Sequence, residues 1–111
     1  MNHLKYQGCI VSCTDCAIEC SRCEYDCLNE DNASLLVKCL KLTRDCADFC
    51  FLAVRAMASN SEFVKEICSL CAEICISCAN ECEKQSHIYN CLECEAKCRM
   101  CAIECHKMSI M

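Results

Sequence analysis

The sequence predicts an all-α fold: an antiparallel up-down-up-down four-helix bundle with a cysteine-lined core. Three observations carry that prediction. The 111 residues include one glycine, Gly8, and no proline or tryptophan, so most turn and strand punctuation is missing. Three polar breaks, Asn29-Glu30-Asp31-Asn32, Ser59-Asn60-Ser61 and Lys84-Gln85-Ser86, divide the chain into four stretches of helical length. Within those stretches cysteine recurs at alternating steps of three and four. The length suits one domain, residues 1–111, with a modest core.

The breaks place helices at 5–28, 33–58, 61–84 and 87–108. Asn32 is the expected N-cap of the second. Ser59 with Glu62 forms a capping box for the third, and Ser86 or Asn90 caps the fourth. Short connections between helices of this length imply antiparallel neighbours.

In the first helix the cysteines are Cys9, Cys13, Cys16, Cys20, Cys23 and Cys27. The third carries Cys68, Cys71, Cys75, Cys78 and Cys82, and the fourth Cys91, Cys94, Cys98, Cys101 and Cys105. This is the a/d seam of a heptad, the face turned toward a bundle axis. The second helix keeps the register with Cys39, Cys46 and Cys50, its other seam positions being Leu36, Thr43, Ala53 and Met57. All 19 cysteines therefore point inward, where leucine normally sits.

Cysteine can serve simply as a small buried hydrophobe. A core of 19 would sacrifice much of the burial that leucine provides at about 25 cal/mol per Å², so the sulfurs point to another purpose. Disulfides are an alternative, but the number is odd and same-helix neighbours have Cβ atoms about 5–6 Å apart, beyond the reach of a bridge. Iron–sulfur clusters are another; C-x2-C and C-x3-C recur here without the C-x2-C-x2-C-x3-C-P run. Zinc needs four ligands and thus several helices converging on each ion. Cu(I) accepts two or three soft sulfur ligands, which pairs at i and i+3 or i+4 can supply. With each thiolate bridging two ions, capacity approaches about one Cu(I) per cysteine, or about 19.

Three segments, CLKLTRDCADFC at 39–50, KEICSLCAEIC at 65–75 and CLECEAKCRMCAIEC at 91–105, carry a resemblance that covers essentially the whole chain. The sequence resembles the copper storage protein family, specifically its cytosolic branch. The resemblance implies a cytosolic homotetramer of four-helix bundles, filled with Cu(I) held mainly by cysteine pairs, storing metal without catalysis. Two departures stand out: of the histidine-rich entry to the fourth helix only His87 remains, and Thr43 occupies a position expected to be more polar, often acidic.

The alternating topology gathers Cys27, Cys39, Cys82, His87 and Cys91 at one end, and Cys9, Met57, Val64, Cys105 and Met108 at the other. His87 falls on the inward seam one turn before Cys91 and is a candidate ligand relaying Cu(I); the alternative is a solvated loop histidine. Met57 and Met108 offer thioethers but read first as hydrophobic plugs. The His87 end is then the open mouth and the methionine end the closed one. Thr43, Asn29 and Asn32 offer oxygens at most. His3 and His106 lie off the seam or near a terminus and read as incidental.

Val11, Ile18 and Tyr25 recur every seven residues on the outer face, an apolar stripe suited to burial against another copy. Glu19, Glu73, Glu81, Glu93 and Glu104 read as solvated or flanking, and no nucleophile–base constellation suggests an enzyme. The formal charge of −5 supplies no basic stripe for nucleic acid. No segment approaches the 18 apolar residues of a membrane span. The first seven residues, Met1 to Gln7, show neither a secretory signal nor a twin-arginine leader. A complete chain of this kind is expected in the cytoplasm, where thiols persist.

Overall fold

The computed structural model describes residues 3–111. Met1 and Asn2, part of the stretch read for a leader, lie outside the described residues. A 3-10 turn at His3–Tyr6 leads into α1 (Gln7–Leu28), and a second at Ala33–Leu36 leads into α2 (Val37–Ala58). Then follow α3 (Val64–Glu83) and α4 (Tyr89–Ser109). Among the described residues there is no strand, and no helix is long and apolar enough to cross a membrane. The helices form a rod of 50 × 18 × 18 Å in which α1 and α3 each pack between α2 and α4.

The helix starts differ from the expected ones because the caps are not side-chain caps. Ser59 does not begin α3: it closes α2, its hydroxyl donating to the Arg55 carbonyl at 2.9 Å. Asn60 follows at φ 54°, and the amides of Asn60 and Ser61 donate back to Met57 O and Ala56 O. This is a Schellman closure with asparagine in the left-handed position. Glu62 therefore has no capping box to complete, and α3 starts at Val64 behind a turn in which the Phe63 amide donates to Ser61 Oγ. Asn32 precedes the 3-10 turn without a side-chain cap. Asn90 lies inside α4, and its amide crosses to α1, donating to Asp26 Oδ2 at 2.6 Å.

The inward face is as expected: each of the 19 cysteines is at most 1% exposed, and Leu36, Thr43, Ala53 and Met57 are buried with them. Larger apolar residues such as Phe49, Ile67 and Ile74 pack beside the column. A second pattern makes the thiol core possible. Ala17, Ala47, Ala72, Ala79 and Ala102 each follow a cysteine directly and are buried. A methyl at the flanking position lets neighbouring backbones approach closely enough for short cysteine side chains to meet.

Val11, Ile18 and Tyr25 are exposed on the outside of α1, and Phe51 of α2 lines one surface groove with Ile18 and Tyr25. Glu81 departs from the solvated reading. It is buried near the end of α3, with Lys84 Nζ at 3.3 Å and Lys38 Nζ at 3.8 Å compensating its charge.

Candidate metal centre

Sulfur–sulfur contacts run the length of the bundle axis. Near one end, Cys9 Sγ lies 3.7 Å from Cys105 and 3.9 Å from Cys13, and Cys13 is 3.5 Å from both Cys101 and Cys105. Cys50 of α2 reaches Cys71, Cys75 and Cys101 at 3.8–3.9 Å. Cys46 reaches Cys75 at 3.6 Å and Cys16 at 3.8 Å. Cys98 then contacts Cys16 and Cys20, and Cys20 contacts Cys94 at 3.5 Å. At the far end Cys23 and Cys27 approach Cys91 at 2.7 and 3.4 Å, and Cys39 approaches Cys82 at 4.0 Å.

Most of these contacts join different helices. Same-helix pairs at i and i+4, such as Cys94 and Cys98 at 3.8 Å, are the minority. The expectation that neighbours along one face supply the pairs is thus only partly met. Helices converge because the alanine-flanked seams let them, and thiols from several helices do meet at common points, as a four-ligand ion would require.

The thiols fall into sets of four whose sulfurs lie within 4.8 Å of one another. Examples are Cys13, Cys71, Cys101 and Cys105; Cys16, Cys46, Cys50 and Cys75; and Cys16, Cys20, Cys46 and Cys98. Cys20, Cys78, Cys94 and Cys98 form another, and Cys23, Cys27, Cys39 and Cys91 a fifth. Cys16, Cys20, Cys46 and Cys98 each belong to at least two sets. A sulfur shared between sets can bridge two ions, which suits a soft univalent ion and not a series of closed four-thiolate zinc sites.

Crowding governs the protons. Burial first, then the hydrogen bond with Cys91, holds the Cys27 thiol above its ordinary range. Cys68 is drawn toward thiolate by its hydrogen bond with Cys105, but the bond to Cys9 and burial prevail and push it up to about 12. Cys9 is held low by hydrogen bonds from Cys105, Cys13 and Cys68. Neighbouring thiols therefore share protons, and an entering cation must displace them.

The two ends require corrections. His87 is exposed in the turn before α4 and not on the inward seam. A strict alternation of three and four steps back from Cys94 to Cys91 and then to position 87. The helix begins only at Tyr89, so extended Ile88 turns inward instead and is 6% exposed. Ile88 and Leu36 continue the seam beyond Cys91 and Cys39, so this end is not an open mouth. At the opposite end Met57 and Met108 are buried beside Tyr6 and Val64. Asn29 and Asn32 are exposed, with the Asn29 amide donating to Tyr25 O. His106 is exposed as expected.

Comparison with known proteins agrees with this geometry. The model of the copper storage protein family matches residues 2–110. An uncharacterized cysteine-rich protein, YhjQ, of Bacillus subtilis is 46% identical over 81 residues, 73% of this chain and 75% of that one. The Cu(I)-bound copper storage protein BsCsp3 superposes with a TM-score of 0.89 at 44% identity, covering 94% of this chain and 97% of that one. A cytosolic copper storage protein from Streptomyces lividans, carrying five coppers, superposes with a TM-score of 0.90 at 27% identity, over 98% and 95% of the two chains. A sulfur-lined bundle axis and a family match over nearly its whole length lead to one conclusion: the chain belongs to the copper storage protein family.

Proposed function

We propose that the protein stores many Cu(I) ions inside its bundle, held by thiolates of the 19 cysteines. The observation that carries this reading is the sharing of Cys16, Cys20, Cys46 and Cys98 between four-thiol sets. Shared sulfurs become bridges, so ions can follow one another along the axis at about one per thiol. The role is retention without catalysis. The exposed His87 contributes at most from outside the column.

A store built on 19 thiols needs a reducing setting such as the cytosol for those thiols to persist, in keeping with the relative described as cytosolic. The exposed stripe of Val11, Ile18 and Tyr25 supports assembly of several copies, a homotetramer in the fullest form of this reading. The acidic balance of −5 opposes a nucleic-acid role.

Anaerobic titration of reduced protein with Cu(I) against a strong chelator tests the storage reading. Uptake is expected near one ion per cysteine, about 19. Saturation at about four or five ions would instead indicate closed tetrahedral sites.

A further inference from the structure

One sulfur contact in the column differs from the rest. Cys23 Sγ of α1 lies 2.7 Å from Cys91 Sγ of α4. Among the described residues the other sulfur contacts run from 3.4 Å, between Cys27 and Cys91, to 4.0 Å, between Cys39 and Cys82. Both members of the close pair are fully buried.

That separation suits a covalent bond better than a shared ion. With metal–thiolate bonds of about 2.3 Å, two sulfurs on one ion stand about 3.8 Å apart in a tetrahedral site, and farther apart with fewer ligands. Cys23 and Cys91 must separate by about 1 Å or more to share an ion. A disulfide is about 2.05 Å long, so they need approach by only about 0.7 Å to bond to each other. Cys13 and Cys101, 3.5 Å apart, show the opposite balance. They stand near the spacing of a shared ion and about 1.5 Å from a bond.

The helices hold the pair in place. The side-chain amide of Asn90, the residue before Cys91, donates to Asp26 Oδ2 on α1 at 2.6 Å. Asp26 lies within one turn of Cys23, so this bond fixes α4 against α1 at the level of the two thiols. The pair is also continuous with the rest of the core. Sulfur contacts lead from Cys9 by way of Cys101, Cys46 and Cys98 to Cys94. Cys94 in turn is hydrogen-bonded to Cys23. A disulfide formed anywhere in the column can therefore pass from thiol to thiol by exchange.

We propose that Cys23 and Cys91 are the oxidation site of the thiol core, forming a reversible disulfide between α1 and α4 that closes both sulfurs to metal. The co-reactant is a small-molecule disulfide. One column thiol gives up its proton and attacks it. A mixed disulfide forms, the reagent's S–S bond breaks, and its first half leaves as a thiol carrying that proton. A neighbouring protein thiol then attacks the protein sulfur of the mixed disulfide and expels the second half as a thiol. Further exchange carries the bridge to Cys23 and Cys91, where it demands the least movement. Two protein thiols are oxidised and the reagent is reduced to two thiols. Copper and the bridge compete for the same sulfurs, so the oxidised store holds less; this consequence rests on the Cu(I) reading above.

Metal-free protein equilibrated in mixtures of reduced and oxidised glutathione is the test. Free thiols are blocked after an acid quench, and tandem mass spectrometry of the non-reduced digest maps the bridges. The first bridge is expected between Cys23 and Cys91, with loss of two of the 19 thiols, and dithiothreitol should restore both. Cys23→Ser should raise the oxidised fraction needed for a first bridge by about tenfold or more, whereas Cys9→Ser should leave it unchanged. A first bridge at another pair, or bridges scattered along the column, would overturn the proposal. So would a folded protein that forms no bridge in a mixture that bridges the urea-unfolded chain.

Copper uptake separates the two levels. Bridged protein, freed of glutathione, should bind about two fewer Cu(I) than the reduced protein; equal uptake would reject the closing of those sulfurs to metal. Saturation of fully reduced protein at about four or five ions defeats the storage reading, while the disulfide map still decides the oxidation site. Circular dichroism of each variant checks that the helices are intact.

Discussion

Cys46 Sγ on α2 lies 3.9 Å from Cys98 Sγ on α4, so sulfur spans the bundle's diagonal. Two side chains this short meet across an axis only when all four helices sit close together. The same two sulfurs also contact Cys16 of α1, at 3.8 and 3.6 Å, which makes this layer a junction of three helices.

Removing that junction should cost capacity and little else. Cys46→Ser and Cys98→Ser are each expected to lower Cu(I) uptake by about one ion, and the double variant by about two. Stoichiometric titration reads the result. Thermal unfolding of the metal-free forms should change little, since serine nearly preserves the volume.

The alanines beside the seam should be intolerant of size. Ala17 and Ala79 are fully buried, so Ala17→Leu or Ala79→Leu forces neighbouring backbones apart. Overpacking of this kind costs about 1–3 kcal/mol, measurable as a lower urea midpoint of the metal-free protein. Copper capacity should fall with it, because separated helices lose their shared sulfurs.

Loading should stabilise the fold strongly. A ligand that binds only the folded state at 1,000 times its dissociation constant adds about 4 kcal/mol per site. For a chain of this size one such site corresponds to a rise in melting temperature of about 15 °C. Calorimetry of metal-free and loaded protein should show at least that increase, and chelation should reverse it.

Binding should release protons and weaken in acid. Cys27 and Cys68 are held above the ordinary thiol range, the latter at about 12, so both carry protons at neutral pH in the metal-free protein. Each must lose its proton to bind a cation. Lowering the pH by one unit therefore weakens binding at such a site by about tenfold per proton displaced. Titration in weakly buffered solution should show net acid release that grows with the Cu(I) added. By contrast, removing the exposed Arg44 partner of Glu24, 2.8 Å away, should change stability by less than about 1 kcal/mol.

The a/d recurrence from Cys9 to Cys27 made the inward face legible because helical periodicity is a local property. The same logic placed Leu36, Thr43, Ala53 and Met57 correctly among the thiols. It failed at the ends, where the helix itself stops. Extrapolating the seam beyond Cys91 gave His87, while the chain, extended at Ile88, turns the isoleucine inward. The Ser59 and Glu62 pattern was read as a start signal. The backbone instead uses that turn for a Schellman closure with Asn60 at positive φ, an arrangement the capping-box pattern does not reveal. The alanine that follows Cys16, Cys46, Cys71, Cys78 and Cys101 was visible in the sequence. Its meaning appeared only once the helices were side by side.

The sequence by itself determined that four helices present their cysteines to one axis, since 3.6 residues per turn converts spacing into a face without reference to anything distant. Tertiary structure decided which sulfurs meet. Whether Cys46 faces Cys98, whether Cys23 faces Cys91, and whether Leu36 and Ile88 close the end all depend on the axial offsets between helices. Those offsets are set by connections, flanking alanines and cross-helix bonds such as Asn90 to Asp26. They act between residues far apart in the chain, and no local periodicity encodes them.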